Sequence, residues 1–300
     1  MSWEKAVVIR FHSNMVSAVD IQTNKRLECV LPGKFKQQHI RPVVGDYIEY
    51  SSEENAEYAK VENILPRKNE LYRPKIANVD QVVLVTTIKN PSVDNIIVDK
   101  FLIQVQKQRL ECVIVVNKID LLQTAQEKEL LDRFVAAYSK ILKVITVSVK
   151  QDIGIEEVRN TLCGKITTTA GMSGVGKSSL INKLDSTLNL KVNEISDRLK
   201  RGRHTTTFSE LIAFSFGGFL ADTPGFANLE LRNFECATLK DFFPEFGIYE
   251  PYCAFNDCVH INEPGCAVKQ AVQEKEISSE RYNNYLSIYR EIKESGEKKW

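Results

Sequence analysis

The stretch "VIVVNKIDLL", Val113 to Leu122, decides how this chain is read. An apolar, β-branched run stops at Asn117-Lys118-Ile119-Asp120, which fits the pattern N-K-x-D. Guanine presents N1–H and an exocyclic amine side by side, and one carboxylate, here Asp120, can accept both hydrogen bonds. Adenine offers no such donor pair. Asn117 is expected to hold the base's other edge or to tie neighbouring loops together. Lys118 is expected to lay its aliphatic stem on the ring face, with Ile119 among the nucleotide contacts. A strand in front of the motif suits this reading, because ligands of open α/β sheets bind at the carboxyl ends of strands. The next strand, in "TVSVK", closes on Ser148-Val149-Lys150, which resembles the S-A-K loop that accompanies N-K-x-D.

A phosphate loop follows further along. Gly171, Met172, Ser173, Gly174, Val175, Gly176, Lys177, Ser178 and Ser179 contain G-x-x-x-x-G-K-[ST], with the strand-like "KITTTA" before and a helical pattern after. The glycines let backbone N–H groups turn toward phosphate oxygens, and the helix N-terminus adds a favourable dipole. Lys177 should reach the β- and γ-phosphates, and Ser178 should ligate Mg2+. Downstream, Asp222-Thr223-Pro224-Gly225 ends a strand. Asp222 there can hold Mg2+ while the amides up to Gly225 sense the γ-phosphate. Between them "RGRHTTT" supplies Thr205, Thr206 and Thr207, one of which closes over Mg2+; Thr206 is included among the nucleotide contacts. The usual order begins with the phosphate loop and ends with the two guanine loops. Here the guanine loops come first, as if the old termini had been joined and the chain cut after D-T-P-G. Domain termini often lie close together, so such a permutation is tolerable.

The rest of the chain frames this segment. Three hundred residues are enough for two or three domains. A net charge of +1 gives no global field for nucleic acid or membrane, so any RNA surface has to be local. No apolar run approaches the ~20 residues of a membrane helix, and "MSWEKAVVIRF" lacks the order of a signal peptide. The expectation is a cytoplasmic, monomeric protein.

Residues 1–67 hold "KAVVIR", "MVSAVD", "RLECVL", "DYIEY" and "YAKVENIL", short strands that suggest a small closed barrel of OB or SH3 type. The connection "PGKFKQQHIRP" carries Lys34, Lys36, His39 and Arg41. It reads either as a grip on a nucleic-acid backbone or as a solvated loop. "RKNELYRPKIANVD" reads as a linker. From 68 to 232 strands alternate with helices, giving a mostly parallel sheet, and "ELIAFSFGGFLAD" reads as a hairpin turning at Gly217-Gly218. Residues 233–300 end in a charged helix in which Tyr282, Leu286 and Tyr289 share a face. This last segment also holds Cys253-x4-Cys258-x-His260-x5-Cys266, three thiolates and one imidazole suited to a closed tetrahedral zinc site. The other cysteines, Cys29, Cys112, Cys163 and Cys236, are scattered.

Taken together, "DKFL", "NKID", "GMSGVGKSSLIN", "GRHTTT", "DTPGF" and the Cys/His cluster make the sequence similar to the circularly permuted, ribosome small subunit-dependent GTPase A family. The resemblance implies an α/β fold. It comprises a circularly permuted P-loop GTPase domain, an N-terminal five-stranded OB-type barrel and a small C-terminal zinc-binding α-helical domain. It implies GTP hydrolysis stimulated by the small ribosomal subunit and its rRNA, a role late in that subunit's maturation, one structural zinc, and Mg2+ with GTP. Phe226 stands where many GTPases place a water-orienting Gln. Intrinsic turnover is then expected to be slow, with His204 the candidate to supply the missing polar group. Two other readings remain open from the residues: a GTP-gated RNA-binding scaffold, and a P-loop ATPase with an accidental N-K-x-D.

Overall fold

The structure, a computed structural model, describes residues 3–53, 56–72, 75–188, 210–221, 231 and 234–297. His204, Thr205, Thr206, Thr207, Asp222, Thr223, Pro224, Gly225 and Phe226 lie outside the described residues. The chain divides into two compact units, Met1–Val83 with Asp152–Gly171 and Gly176–Gly225, and Leu84–Gln151 with Met172–Val175 and Phe226–Trp300.

In the first unit, β1 (Glu4–His12), β2 (Met15–Asp20), β3 (Arg26–Val30), β4 (Tyr47–Ser51) and β5 (Ala59–Ile64) close a barrel in the order β1-β2-β3-β5-β4. Neighbours are antiparallel except β3 and β5. Alternation builds its core: Val16 and Ala18 on β2, and Ile48 and Tyr50 on β4, point in with Ala6, Val8, Cys29 and Val61. The basic connection folds differently from a plain loop. Its Gly33–Gln37 forms a short helix, α1, because Phe35 is apolar and buries against the barrel core. Lys34 is tied to the Glu62 carbonyl (2.8 Å), while Lys36, His39 and Arg41 stay exposed.

The stretch read as a linker is a hairpin, β6 (Glu70–Tyr72) against β7 (Lys75–Ala77). Two polar anchors hold it. Arg67 donates from Nε (2.6 Å) and Nη2 (2.8 Å) to the fully buried Asp46. The buried Asn78 side chain accepts from the Lys68 amide (2.7 Å) and donates to the Gly45 carbonyl (2.9 Å). Both partners are distant in sequence, so local composition carries no sign of them.

The same unit holds β8 (Gln81–Thr87) through Val83, β11 (Ile166–Ala170), β13 (Phe219–Ala221) and β12 (Leu211–Ala213), in the order β8-β11-β13-β12. Strand β13 lies parallel to β11 and antiparallel to β12. The β12–β13 turn needs Gly218: its φ is +91°, and a Cβ there would stand 2.5 Å from the Leu162 carbonyl oxygen. Helices α4 (Ile155–Leu162) and α5 (Lys177–Leu184) belong here.

In the second unit the strand order is β10-β9-β8, with β9 (Glu111–Asn117) and β10 (Lys143–Thr146) in parallel register. All seven residues of β8 are buried, the mark of a strand covered on both faces. Helix α2 (Asn95–Lys107) starts at Asp94, whose carboxylate caps the Ile96 amide (3.1 Å). Helix α3 (Ala125–Tyr138) starts with a capping box between Thr124 and Glu127. Beyond 234, tight turns at 236–242, 246–248 and 250–252 lead to α6 (Ala267–Gln273) and α7 (Ser279–Glu297). Their core gathers Phe243, Phe246, Tyr285 and Ile288, with Tyr282, Leu286 and Tyr289 packed against it at half depth.

Helix α7 is joined to α2 by a buried charge network. Arg281 pairs with Asp99 and, through Nε, with Glu245 (2.5 Å), and Asn284 donates to the other Asp99 oxygen (2.6 Å). Its guanidinium lies over the rings of Tyr138 and Phe243. Asp99 is the Asp of "DKFL".

Candidate functional site

Three strand ends carry the candidate nucleotide residues. Asn117 is the last residue of β9, Ser148 lies two residues after β10, and Gly171 directly follows β11. Within the second unit, N-K-x-D and the phosphate loop meet. Asn117 Nδ2 donates to the Val175 carbonyl (2.9 Å), and its Oδ1 accepts from the Lys118 amide (2.7 Å). Of the two roles expected for Asn117, the side chain adopts the loop tie. Lys118 takes a left-handed backbone, φ +63°, and its ammonium donates to the carbonyls of Gly174 (2.5 Å) and Asn90 (2.6 Å).

Ser148 Oγ donates to Asp120 Oδ1 (2.6 Å) and accepts the Gln151 amide (3.1 Å). This contact fixes the plane of the Asp120 carboxylate. Val149 and Lys150 form the turn beyond it, Val149 half-buried and Lys150 exposed. Ile119 opens a short helical turn, Ile119–Leu121, that carries Asp120.

The phosphate loop curls on glycines with positive φ at Gly171, Gly174 and Gly176 (+139°, +82°, +94°), and Gly176 caps α5. Lys177 is the first residue of that helix, and its ammonium donates to the Gly171 carbonyl (2.7 Å). Burial pushes the Lys177 pKa down from its ordinary value. Ser178 and Ser179 follow in the first turn of α5, while Met172 and Ser173 are exposed in the loop.

Several supports were not anticipated from the sequence. Glu127 accepts the Gln123 and Thr124 amides on Oε2 (2.8 and 3.1 Å) and the Lys89 ammonium on Oε1 (2.5 Å). Lys89 and these amides hold the Glu127 carboxyl down at about 2. Gln123 Nε2 in turn donates to the Asp120 carbonyl (2.8 Å). The T-x-x-E pattern of a capping box, Thr124 to Glu127, was the available signal.

The four candidate metal ligands, Cys253, Cys258, His260 and Cys266, have donor atoms all within 4.8 Å of one another. His260 Nδ1 faces Cys266 Sγ at 3.5 Å and Cys253 Sγ at 3.7 Å. Its Nε2 is buried without a hydrogen-bond partner. Burial lowers the imidazole pKa, leaving a neutral ring whose Nδ1 can ligate. Burial, with Cys266 and Cys253 beside it, pushes the Cys258 thiol up to about 12. A cation reverses that trend, because a coordinating thiol is deprotonated by the metal. The donor set therefore fits a metal ion.

The loop around the ligands is tightly held. Tyr282 donates to the His260 carbonyl (2.7 Å), and the fully buried Tyr285 donates to that of Val259 (2.6 Å). Glu263 accepts the amides of Val259 (3.0 Å) and Ile261 (2.8 Å). The helical spacing that singled out Tyr282, Leu286 and Tyr289 passed over Tyr285, which goes deepest.

Comparison with known proteins matches the RsgA GTPase family model over residues 64–232. A Small ribosomal subunit biogenesis GTPase RsgA from Thermotoga petrophila is 46% identical over 288 residues, covering 96% of this chain and 96% of the relative. One of the same name from a Geobacillus species is 42% identical over 275 residues, covering 91% and 93%. Among solved structures, YjeQ from Thermotoga maritima is 43% identical with a TM-score of 0.79, over 96% of this chain and 98% of the other. YloQ, described as a circularly permuted GTPase, is 32% identical with a TM-score of 0.77, over 98% and 96%.

Proposed function

The chain belongs to the RsgA GTPase family, and on that premise we propose how its residues bind and hydrolyse GTP in the biogenesis of the small ribosomal subunit. Asp120 accepts the two guanine N–H donors, oriented by Ser148, while Lys118 lies along the base. The amides of 171–176 and the ammonium of Lys177 take the phosphates, with Ser179 beside them. Ser178 and Asp222 are oxygen donors of the kind Mg2+ selects, one of Thr205, Thr206 and Thr207 closes over the ion, and Thr206 is counted among the GTP contacts. The ion, bound with GTP, neutralises charge on the β- and γ-phosphates. Asp222 and Gly225 report the γ-phosphate, and His204 orients the attacking water that Phe226 cannot.

The observation that carries this reading is the hydrogen bond from Asn117 to the Val175 carbonyl, which joins the base-reading loop to the phosphate loop despite their permuted order. Hydrolysis is stimulated by the small ribosomal subunit, late in its maturation. The partner is that subunit with its rRNA, met by a monomer in the cytoplasm. No described helix is long and apolar enough to cross a membrane. The domains run over 1–67, 68–232 and 233–300.

The metal is zinc, one per chain. Tetrahedral zinc, with bonds of about 2.3 Å to sulfur and about 2.0 Å to nitrogen, sets a sulfur-to-nitrogen edge of roughly 3.5 Å. The edges at His260 are 3.5 and 3.7 Å. With four protein ligands its role is structural.

GTP turnover measured against small-subunit concentration tests the proposal, with Asp120→Asn beside it. Rates rising with subunits, and GTP binding lost in Asp120→Asn, are expected. Turnover equal with and without subunits overturns the stimulation, and unchanged GTP binding in Asp120→Asn overturns guanine reading. Undiminished stimulated turnover in His204→Ala removes His204 from the chemistry.

A further inference from the structure

Lys118 is held by two carbonyls, and the one at Asn90 belongs to no recognised nucleotide motif. It donates to Asn90 O at 2.6 Å and to Gly174 O at 2.5 Å. A carbonyl is a directional acceptor only if its peptide plane is fixed, so something has to fix this one. Asn90 sits at φ +58°, a conformation that Asn tolerates better than most residues. The next residue is Pro91, whose ring locks φ and so leaves ψ as the one soft dihedral between the Asn90 and Pro91 carbonyl planes. The Pro91 carbonyl is anchored in turn: Thr87 Oγ1 donates to it at 2.6 Å, from a side chain only 1% exposed. Between these points Lys89 is clamped to Glu127, the carboxylate that also closes the end of the N-K-x-D turn.

We propose that Thr87 is a positioning residue for guanine nucleotide affinity. Its hydroxyl, through Pro91, fixes the Asn90 carbonyl that aims the Lys118 ammonium. Thr87 touches neither base nor phosphate in this scheme. It holds the second of two acceptors without which Lys118 keeps only Gly174, and the lysine stem is then free to swing off the plane it shares with the base. The segment from Thr87 to Pro91 is thus a brace with two ties, one buried at Thr87 and one half-exposed at Lys89. The inference rests on the guanine-site reading of Lys118 and Asp120 given above.

The test is the dissociation rate of a fluorescent GDP analogue from the full chain. Thr87→Val, which removes the hydroxyl at nearly constant shape, is expected to release GDP roughly five- to tenfold faster, the range of one lost hydrogen bond. Thr87→Ser is expected to restore the rate to within about twofold, because it keeps the donor. At saturating GTP, subunit-stimulated kcat is expected to stay unchanged. The decisive arm is a double-mutant cycle: if Thr87 acts through Lys118, Thr87→Val adds nothing in a Lys118→Met background. An unchanged GDP release rate in Thr87→Val, or the same acceleration in both backgrounds, overturns the proposal. If Thr87→Val does not fold, Thr87→Ala also removes the hydroxyl and carries the same cycle, with the same two outcomes. Asp120→Asn in the same assay separates the premises. If it loses GDP while Thr87→Val is inert, this inference alone fails. If it binds GDP normally, the guanine reading fails beneath it.

Discussion

The nucleotide loops and the metal loop both hold polar atoms at set distances, and they do it by opposite means. The nucleotide loops are braced from within their own strand ends, by Asn117, Ser148 and Lys118, with Lys118 itself reaching over the surface to two carbonyls. The metal loop is braced from outside. Tyr282 and Tyr285 reach down from α7 to its carbonyls, and α7 is fastened to α2 by the buried Arg281, Asp99 and Glu245. A loop that must admit and release a ligand keeps small, separable ties. A loop that holds its ligand permanently is built into a core.

The sharpest way to break that contrast is at the metal. Removing zinc, or Cys258→Ser, is expected to lower the melting temperature by about 10 °C or more, because the binding free energy of a structural site is folding free energy. Metal content and a thermal scan check it; a small shift would show that the core of α6 and α7 stands without its ion.

Next in size is Arg281→Met, which leaves Asp99 buried and unpaired and is expected to cost about 3–5 kcal/mol in denaturant unfolding. The pH sign is specific. Burial already pushes the Asp99 carboxyl up to about 6 with Arg281 beside it, and loss of the cation moves it higher. A carboxyl whose folded pKa is raised takes up its proton in the folded state first, so its penalty is relieved on acidification and grows as pH rises through the folded value. The variant is expected to resist denaturant better at pH 5.5 than at pH 7.5.

Smaller effects should separate the two regions. Ser148→Ala frees the Asp120 carboxylate and is expected to weaken GTP binding by up to about tenfold, with about 1 kcal/mol of stability lost as the Gln151 amide loses its acceptor. Tyr282→Phe removes one tie to the metal loop and is expected to cost about 1 kcal/mol of stability, with GTP affinity unchanged. If Tyr282→Phe moved GTP affinity, the two bracing schemes would not be independent.

Legibility followed the same division. The atoms that meet a ligand were readable, because Asp120, Lys177 and the four metal-binding side chains are types the chemistry demands at set spacings. The barrel was readable too, since the inward alternation of Val16 and Ala18, and of Ile48 and Tyr50, is a local pattern. What escaped was support that depends on distant partners. Arg67 looked like part of a linker until Asp46, buried in the barrel, received it. Thr87 was one polar residue at the end of an apolar strand until the chain returned at Pro91. Tyr285 was hidden because helical spacing marks a face and not which residue on it goes deepest.

The two tyrosine ties to the metal loop also divide its labour between two segments of the chain. Cys253, Cys258, His260 and Cys266 lie within one short segment, and Tyr282 and Tyr285 come later in the chain. A chain cut before α7 would keep all four ligands, but the carbonyls of Val259 and His260 would lack the hydroxyls that hold them in place. Gathering the metal and stiffening the loop are therefore tasks of separate segments, the second resting on a helix that begins thirteen residues after the last ligand.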